Sequence, residues 1–378
     1  MVKKRKTKTG KRKVSVPTRL MIFLNLFFAF LLICSLLASH VSPLKFWPLA
    51  FAGIAYPVIL FINLFFILFW IVFLKRFFLI SLIAILLGYS QFLSFIQLRG
   101  TTESVFEKGY KVMSYNVRLF DLYNADNKAD FTRARHEMFQ LMRSESVDIL
   151  CLQEYYNGKK GSVNYADSLL KEGICKFSAL ALTHNGKKEI PFGLATFSNY
   201  PIISSRKMDF SNTNMSFCLV TDIAFPTDTV RVINVHLESI RFRKEDYMFV
   251  NELANNRNSG NDLKQGSRVI LSKMKRAYMK RAVQVNELKA IIADSPYRTM
   301  VCGDFNDTPT SYVYRQVTEP LQDAFKIAGS GLGQTYRELL PILRIDYILP
   351  DKSMKVFHYK TIHSDLSDHY PIVARIGL

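Results

Sequence analysis

The first 99 residues contain neither aspartate nor glutamate, although the 378-residue chain holds 31 of them. The apolar runs in this region carry no internal charge, which argues against a transporter, whose pathway is marked by intramembrane ionisable groups. The same stretch holds 13 of the 50 Lys and Arg residues, so of the net +19 only +6 remains for residues 100–378. Most of the basicity follows from membrane topology, and net charge alone is no argument for nucleic-acid binding. Cysteine is also scarce. The chain has five, with no Cys-x-x-Cys and no Cys/His spacing suited to zinc. Cys34 lies in an apolar run and Cys151 and Cys302 lie in expected core strands, where free thiols act as small hydrophobes. No internal repeat is present.

The acid-free region has a clear order. Residues 1–19 form a basic tail, and apolar runs follow at 20–39, 48–74 and 77–98. Each run is long enough to cross a bilayer at roughly 20 residues per span, which predicts a membrane region of three transmembrane helices over 20–99. The tail and Lys75-Arg76 fall on one side of such a set, while the first loop has only Lys45. The positive-inside rule makes that side cytoplasmic and puts residues 100–378 outside, on the periplasmic side of a multi-pass membrane protein. Were the last two runs a re-entrant hairpin, that placement would be the same.

From Tyr110 onward short apolar runs alternate with polar stretches. Strands are expected at 111–117, 147–152, 193–198, 217–225, 229–235, 298–302, 345–349 and 372–376, with helices at 131–144 and 267–293. Strands outnumber the helices between them, so an α+β layered sandwich fits better than a doubly wound sheet. The Asn/Gly/Ser-rich stretch 255–266 reads as a mobile loop. Arg276, Lys280 and Arg281 read as a solvated helix face rather than substrate contacts, and residues 329–333 are too weak a signal for a phosphate cradle.

Polar residues gather where these apolar strands stop. Asn116 follows Val112-Met113-Ser114-Tyr115, and Glu154 ends Leu150-Cys151-Leu152-Gln153-Glu154. His236 follows Ile233-Asn234-Val235, and Met300-Val301-Cys302 runs into Gly303-Asp304-Phe305-Asn306-Asp307. Gly303 is expected to let the backbone approach a ligand closely. Asp346 and then Asp368-His369 complete the set. One such residue is ordinary turn chemistry; several on one domain make a site. Oxygen ligands with few nitrogens and no thiolate suit Mg²⁺ or Mn²⁺. Water attack on a phosphate ester needs such a cation, donors for the phosphoryl oxygens and a base.

Tyr115-Asn116-Val117, Leu152-Gln153-Glu154, Asn234-Val235-His236-Leu237, Gly303-Asp304-Phe305-Asn306-Asp307, Arg344-Ile345-Asp346-Tyr347-Ile348 and Ser367-Asp368-His369-Tyr370-Pro371 resemble, in order, the motifs of the endonuclease/exonuclease/phosphatase superfamily. The resemblance covers about residues 110–378 and implies the deoxyribonuclease-I-like fold, a four-layered α/β sandwich of two packed, mostly antiparallel sheets. It implies Glu154 as principal metal ligand with Asn116 beside it, and Asp304 to position or deprotonate the attacking water. Asn306 would hold the phosphate and transition state, and His236 would donate to a phosphate oxygen. Asp368 would bind or orient around the metal, and His369 would act as acid/base or phosphate clamp, its tautomer fixed by Asp346.

A metal-dependent phosphoesterase, most simply a phosphodiesterase, follows, tied to the bilayer by its helices. Arg344-Ile345-Asp346-Tyr347 lacks the Trp and Cys of the inositol 5-phosphatase branch, which counts against that substrate. Nucleic acid outside the cytoplasm would call for a basic groove. A phospholipid or sphingomyelin headgroup would call for apolar residues on exposed loops, such as Tyr247, Met248 and Phe249. A non-catalytic role in a membrane complex is opposed by the intact site residues, and nothing in the sequence names a protein partner.

Overall fold

The computed structural model describes residues 15–98, 109–122, 128–158, 164–184, 191–211, 216–240, 246, 248–249, 260–338 and 343–378. The basic tail up to residue 14, Tyr247 and residues 255–259 of the expected loop lie outside them. Helix α1 (Val16–Ala38) starts on Ser15, whose side chain accepts the amide of Thr18, with Pro17 in its first turn. Its 23 residues make it the one described helix that is by itself long and apolar enough to cross a membrane.

The second and third expected spans are not continuous. After the short α2 (Pro43–Phe46), α3 (Pro48–Ile54) and α4 (Tyr56–Val72) meet at 61°, and α5 (Phe78–Leu87) and α6 (Tyr89–Phe95) meet at 79°. Pro57 in the first turn of α4 has no amide to continue α3, and Gly88 ends α5. Three polar side chains, fully buried, tie α1, α4 and α5 together. Ser81 Oγ lies 2.6 Å from Asn25 Oδ1 and 2.8 Å from Asn63 Oδ1. The two amides donate to the carbonyls of Phe77, Phe28 and Ile59. Such bonds hold helices together where lipid removes the hydrophobic drive.

The remaining chain forms two sheets packed face to face. The first has the order β12-β13-β2-β3-β5-β4, from β2 (Tyr110–Asn116), β3 (Ile149–Tyr156), β4 (Phe177–His184), β5 (Pro191–Ser198), β12 (Lys355–Thr361) and β13 (Ile372–Gly377). The second has the order β11-β9-β8-β7-β6, from β6 (Ile202–Asp209), β7 (Phe217–Ala224), β8 (Thr229–His236), β9 (Arg298–Asp304) and β11 (Asp346–Pro350). Each contains one parallel pair, β2–β3 and β8–β9, among antiparallel neighbours.

Alternation along the strands sends side chains to two covered faces, which is why their burial is nearly continuous. Val112, Ile149 and Cys151 meet Val232, Met300 and Cys302 between the sheets. On the outer face of the first sheet, Met113, Leu150 and Leu152 pack under α7 (Lys128–Glu145) and α8 (Tyr165–Lys171). On the other, Ile233, Val235 and Val301 pack under α9 (Gly260–Ala293) and α10 (Tyr312–Thr318). The result is the four-layered α/β sandwich. Residues 260–266 belong to α9 rather than to a loop.

The N-terminal helices dock on this sandwich. The short β1 (Ile96–Gln97) pairs antiparallel with β10 (Gly331–Leu332), so the glycine-rich stretch forms a docking strand. Thr310 Oγ1 donates to Gly53 O at 2.7 Å. Arg344, fully buried, donates to Ser94 O at 2.8 Å and to Asp323 Oδ2 at 2.7 Å.

Gly303 lets a neighbouring strand approach closely. Its φ is +141°, and a Cβ there would sit 2.0 Å from Val235 O of β8. Replacing it with alanine should therefore cost about 3 kcal/mol or more. Denaturant unfolding of the full chain in detergent micelles measures this; a change under about 0.5 kcal/mol, the range of neutral surface substitutions, would contradict it.

Candidate active site

Because β2 and β3 run parallel, as do β8 and β9, their C-terminal ends emerge at one edge of the sandwich. Asn116 ends β2, His236 ends β8 and Asp304 ends β9. Asp346 opens β11 directly opposite Asp304, and His369 lies in the loop before β13. Glu154 sits where the pairing of β3 with β5 breaks register between Leu152 and Tyr155, with φ +48°. A bulge of this kind re-aims a side chain. Here it turns Glu154 toward Asn116, whose Nδ2 is 3.3 Å from Glu154 Oε1.

Asp304 is the hub, with only 1% of its surface exposed. Its Oδ1 accepts the amide of Asn306 at 2.7 Å, and its Oδ2 accepts from Asn116 Nδ2 at 3.1 Å and Asn306 Nδ2 at 3.3 Å. The Nε2 atoms of His236 and His369 stand 3.6 Å and 3.7 Å from that same oxygen. Burial raises the Asp304 carboxyl to about 6; the His369 imidazole opposes the rise and Asp346 adds to it. Asn306, like Glu154, is in the left-handed region, at φ +53°. Such strain persists where surrounding structure holds it.

His369 and Asp346 form a buried pair, with Nδ1 2.9 Å from Oδ2. Burial works against a charged imidazole, but Asp346 and Asp304 outweigh it and hold His369 well above its ordinary value. Two buried atoms aimed into this region have no hydrogen-bond partner among the described residues: His236 Nε2 and Asp346 Oδ1. Buried polar atoms are seldom left unpaired, so these mark places for a ligand.

Asp368 is engaged differently from the other expected metal ligands. Its Oδ2 lies 3.5 Å from Arg118 Nε, while Arg118 Nη1 also reaches Glu338 at 3.4 Å. Arg118 begins a run of four left-handed residues, φ +45° to +60° through Asp121, that turns the chain back after Asn116. Ser367 Oγ donates to Asn116 O at 2.9 Å, tying the His369 loop to β2. The sequence pattern gave Arg118 no role, and Ser367, though part of the Ser367-Asp368-His369 motif, none of its own. Arg281 is neither a solvated face nor a phosphate contact. It is buried, donating to Asp307 Oδ2 at 3.1 Å and Glu238 O at 3.0 Å, and Lys280 pairs with Glu238 at 3.1 Å.

The donor set fits a hard divalent cation. Asp304, Asp346 and His369 offer ligand atoms within 4.8 Å of one another. Glu154, Asp304 and Asn116 form a second group of oxygen donors, the ligand type that hard divalent cations take.

A profile of the Endonuclease/Exonuclease/phosphatase family matches residues 113–369, and the chain belongs to that family. It is thereby an enzyme of the metal-dependent phosphoric ester hydrolase class. Residues 18–95 match a domain of unknown function. An endonuclease/exonuclease/phosphatase family protein from Leptotrichia buccalis is similar in structure, at TM-score 0.51 and 15% identity, over 71% of this chain and 100% of that one. An endonuclease/exonuclease/phosphatase from Beutenbergia cavernae matches at TM-score 0.51 and 18% identity, over 72% of each. These likenesses show the fold. No curated protein matches.

In metal-free protein the imidazole of His369 should stay protonated well above pH 6.5, and Asp346→Asn should lower that titration toward the ordinary value. Histidine ring NMR follows both. An unchanged titration in the variant would show that Asp346 does not set the charge.

Proposed function

We propose that this protein is a membrane-anchored, Mg²⁺- or Mn²⁺-dependent phosphodiesterase whose catalytic part, residues 100–378, lies outside the cytoplasm. The observation that carries the reading is the oxygen group of Asn116, Glu154 and Asp304 standing beside the charged His369 at one edge of the sandwich. When bound, the divalent cation supplies charge neutralisation at the phosphoryl oxygens. Glu154 is its principal ligand, with Asn116 and Asp304 beside it.

The chain's own residues do the rest. Asp304, as carboxylate, positions or deprotonates the water. Asn306 Nδ2 and His236 Nε2 donate to phosphoryl oxygens. His369 presents its Nε2–H as acid or clamp, while Asp346 holds its Nδ1 proton. Asp368, through Arg118, orients the loop that carries His369.

Two contacts support the topology. Asn25, in the first half of α1, meets the carbonyl of Phe77 at 3.0 Å, so Lys75-Arg76 lies toward the N-terminal end of α1. A Cβ on Gly53 would stand 3.1 Å from Ala38 Cβ and 3.3 Å from Thr310 O, so the sandwich docks at the opposite end. The basic residues thus share one side and the sandwich takes the other, as the positive-inside rule asks of three crossings.

For the substrate, nucleic acid is the first reading, on the strength of the phosphodiesterase chemistry. A second, the phospholipid headgroup, is favoured by two observations. Among the described residues, Arg118 is paired with Asp368 and Glu338 and Lys280 with Glu238, so neither offers a free charge to a nucleic-acid backbone. The loop after β9 also reaches the membrane region through Thr310 within six residues of Asp304. Of the three apolar residues expected on exposed loops, Met248 is exposed, whereas Phe249 lies against Gly266.

The full chain in detergent micelles, given Mg²⁺ with single-stranded DNA, RNA or phospholipid vesicles, tests the reading. Hydrolysis of one class should vanish with chelator and fall at least about 10²-fold in Glu154→Ala and in His369→Ala. Near-normal rates in both variants would sink the assigned roles. Mn²⁺ affinity in calorimetry should weaken as pH drops below about 6, where Asp304 takes up a proton. An affinity flat from pH 7 to pH 5 would remove Asp304 from the metal's ligands.

A further inference from the structure

Where the membrane region meets the sandwich, a cavity of about 330 Å³ opens between the end of α1, α6, α10 and α11 (Ala324–Ala328). Its size falls in the range of ligand pockets, roughly 300–1,000 Å³. None of the site residues named above lines it. Its charge is unbalanced.

Lys326 and Arg315 line the wall. Lys326 Nζ has Ser90 Oγ at 3.1 Å; burial lowers its pKa, Asp323 opposes that fall and Arg344 adds to it. Arg315 makes no ion pair within 4.0 Å among the described residues, and Glu319, one turn along, is held by Lys289. The acid in the wall, Asp323, is already committed. Its Oδ1 accepts the amide of Phe325, and its Oδ2 accepts the Tyr314 hydroxyl at 2.6 Å and Arg344 at 2.7 Å.

The position of the cavity says what kind of anion would reach it. Its walls include Ser39, one residue past α1, and Ser90, Gln91 and Ser94, just past the bend at Gly88. The adjoining turns expose Leu37, Leu86, Leu87 and Tyr89. A cationic cavity at the end of an exposed apolar bundle matches an amphiphile, with its charged head inside and its chains along the helices. A free anion would gain nothing from the apolar flank.

We propose that this cavity binds the phosphate of an anionic phospholipid, separately from the catalytic site, with Lys326 and Arg315 as its charged partners. The inference rests on the membrane placement given under the proposed function, and the test keeps the two apart. The full chain in dodecyl maltoside is titrated with phosphatidylglycerol, phosphatidylcholine or inorganic phosphate, and its thermal unfolding is followed. Phosphatidylglycerol should raise the midpoint saturably. The half-saturating concentration should be at least ten-fold higher in Lys326→Gln and in Arg315→Gln, and near wild type in Lys326→Arg. Variant and wild-type protein should float equally with vesicles after an alkaline wash, so failure to float would strike at the membrane placement alone. An equal response to phosphatidylcholine, a wild-type half-saturating concentration in both Gln variants, or the same shift from inorganic phosphate without lipid would each overturn the proposal.

Discussion

The arrangement depends on how the two sheets are locked against each other, and one pair of amides does this. Gln153 Nε2, on a strand of the first sheet, donates to Asn234 Oδ1, on a strand of the second, at 2.8 Å. Asn234 Nδ2 returns bonds to the backbone carbonyls of Leu152 at 3.1 Å and Ala195 at 3.0 Å in the first sheet. Ser114 joins the same network through Gln153. Apolar sheet faces can slide over one another at little cost, but a buried amide that loses its partners costs roughly 1–3 kcal/mol. The network therefore fixes the relative shift of the sheets. Gln153 is next to Glu154 and Asn234 is two residues from His236, so fixing the sheets places those two side chains.

On that frame the electrostatics divide the labour. Asp304 is shared: two amides and a backbone N–H hold it, and both imidazoles face it. Its burial would leave it half protonated near pH 6. The two imidazoles favour its carboxylate form, and a cation at Glu154 would add to that. His369 lies between two acids that favour its charged form, which on the proposed reading makes it a donor to the phosphate. The same edge thus offers a region that attracts a cation and one that attracts a phosphoryl oxygen.

Much of the sandwich was legible in the sequence because a buried strand that stops in a carboxylate or amide leaves a visible break in hydropathy. The strands ending at Asn116, His236 and Asp304 were readable for that reason. Edge strands were not. The strand Ile202–Asp209 is largely exposed and reads as a polar stretch, and Lys355–Thr361 is only half-buried. Helices of five to seven residues, such as Tyr312–Thr318, are too short to show a period. Hydropathy gave the length of the apolar runs but not the bends at Ala55 and Gly88, because composition carries no direction. Arg281 looked like part of a solvated face because its partner Asp307 lies 26 residues on. Residues Asn116, Glu154, His236, Asp304, Asn306, Asp346 and His369 were all named from strand ends. That Asp368 pairs with Arg118 needed the left-handed turn after β2, which no pattern announced.

The central claim, that the oxygen group holds the cation while His369 and Asp346 serve the phosphate, is tested most directly by locating bound Mn²⁺. Anomalous diffraction from crystals of the full chain grown with Mn²⁺ would do so. The expected result is a peak within about 2.2 Å of carboxylate oxygens of Glu154 and Asp304. A peak ligated by His369 Nε2 and Asp346, with Glu154 uninvolved, would contradict it.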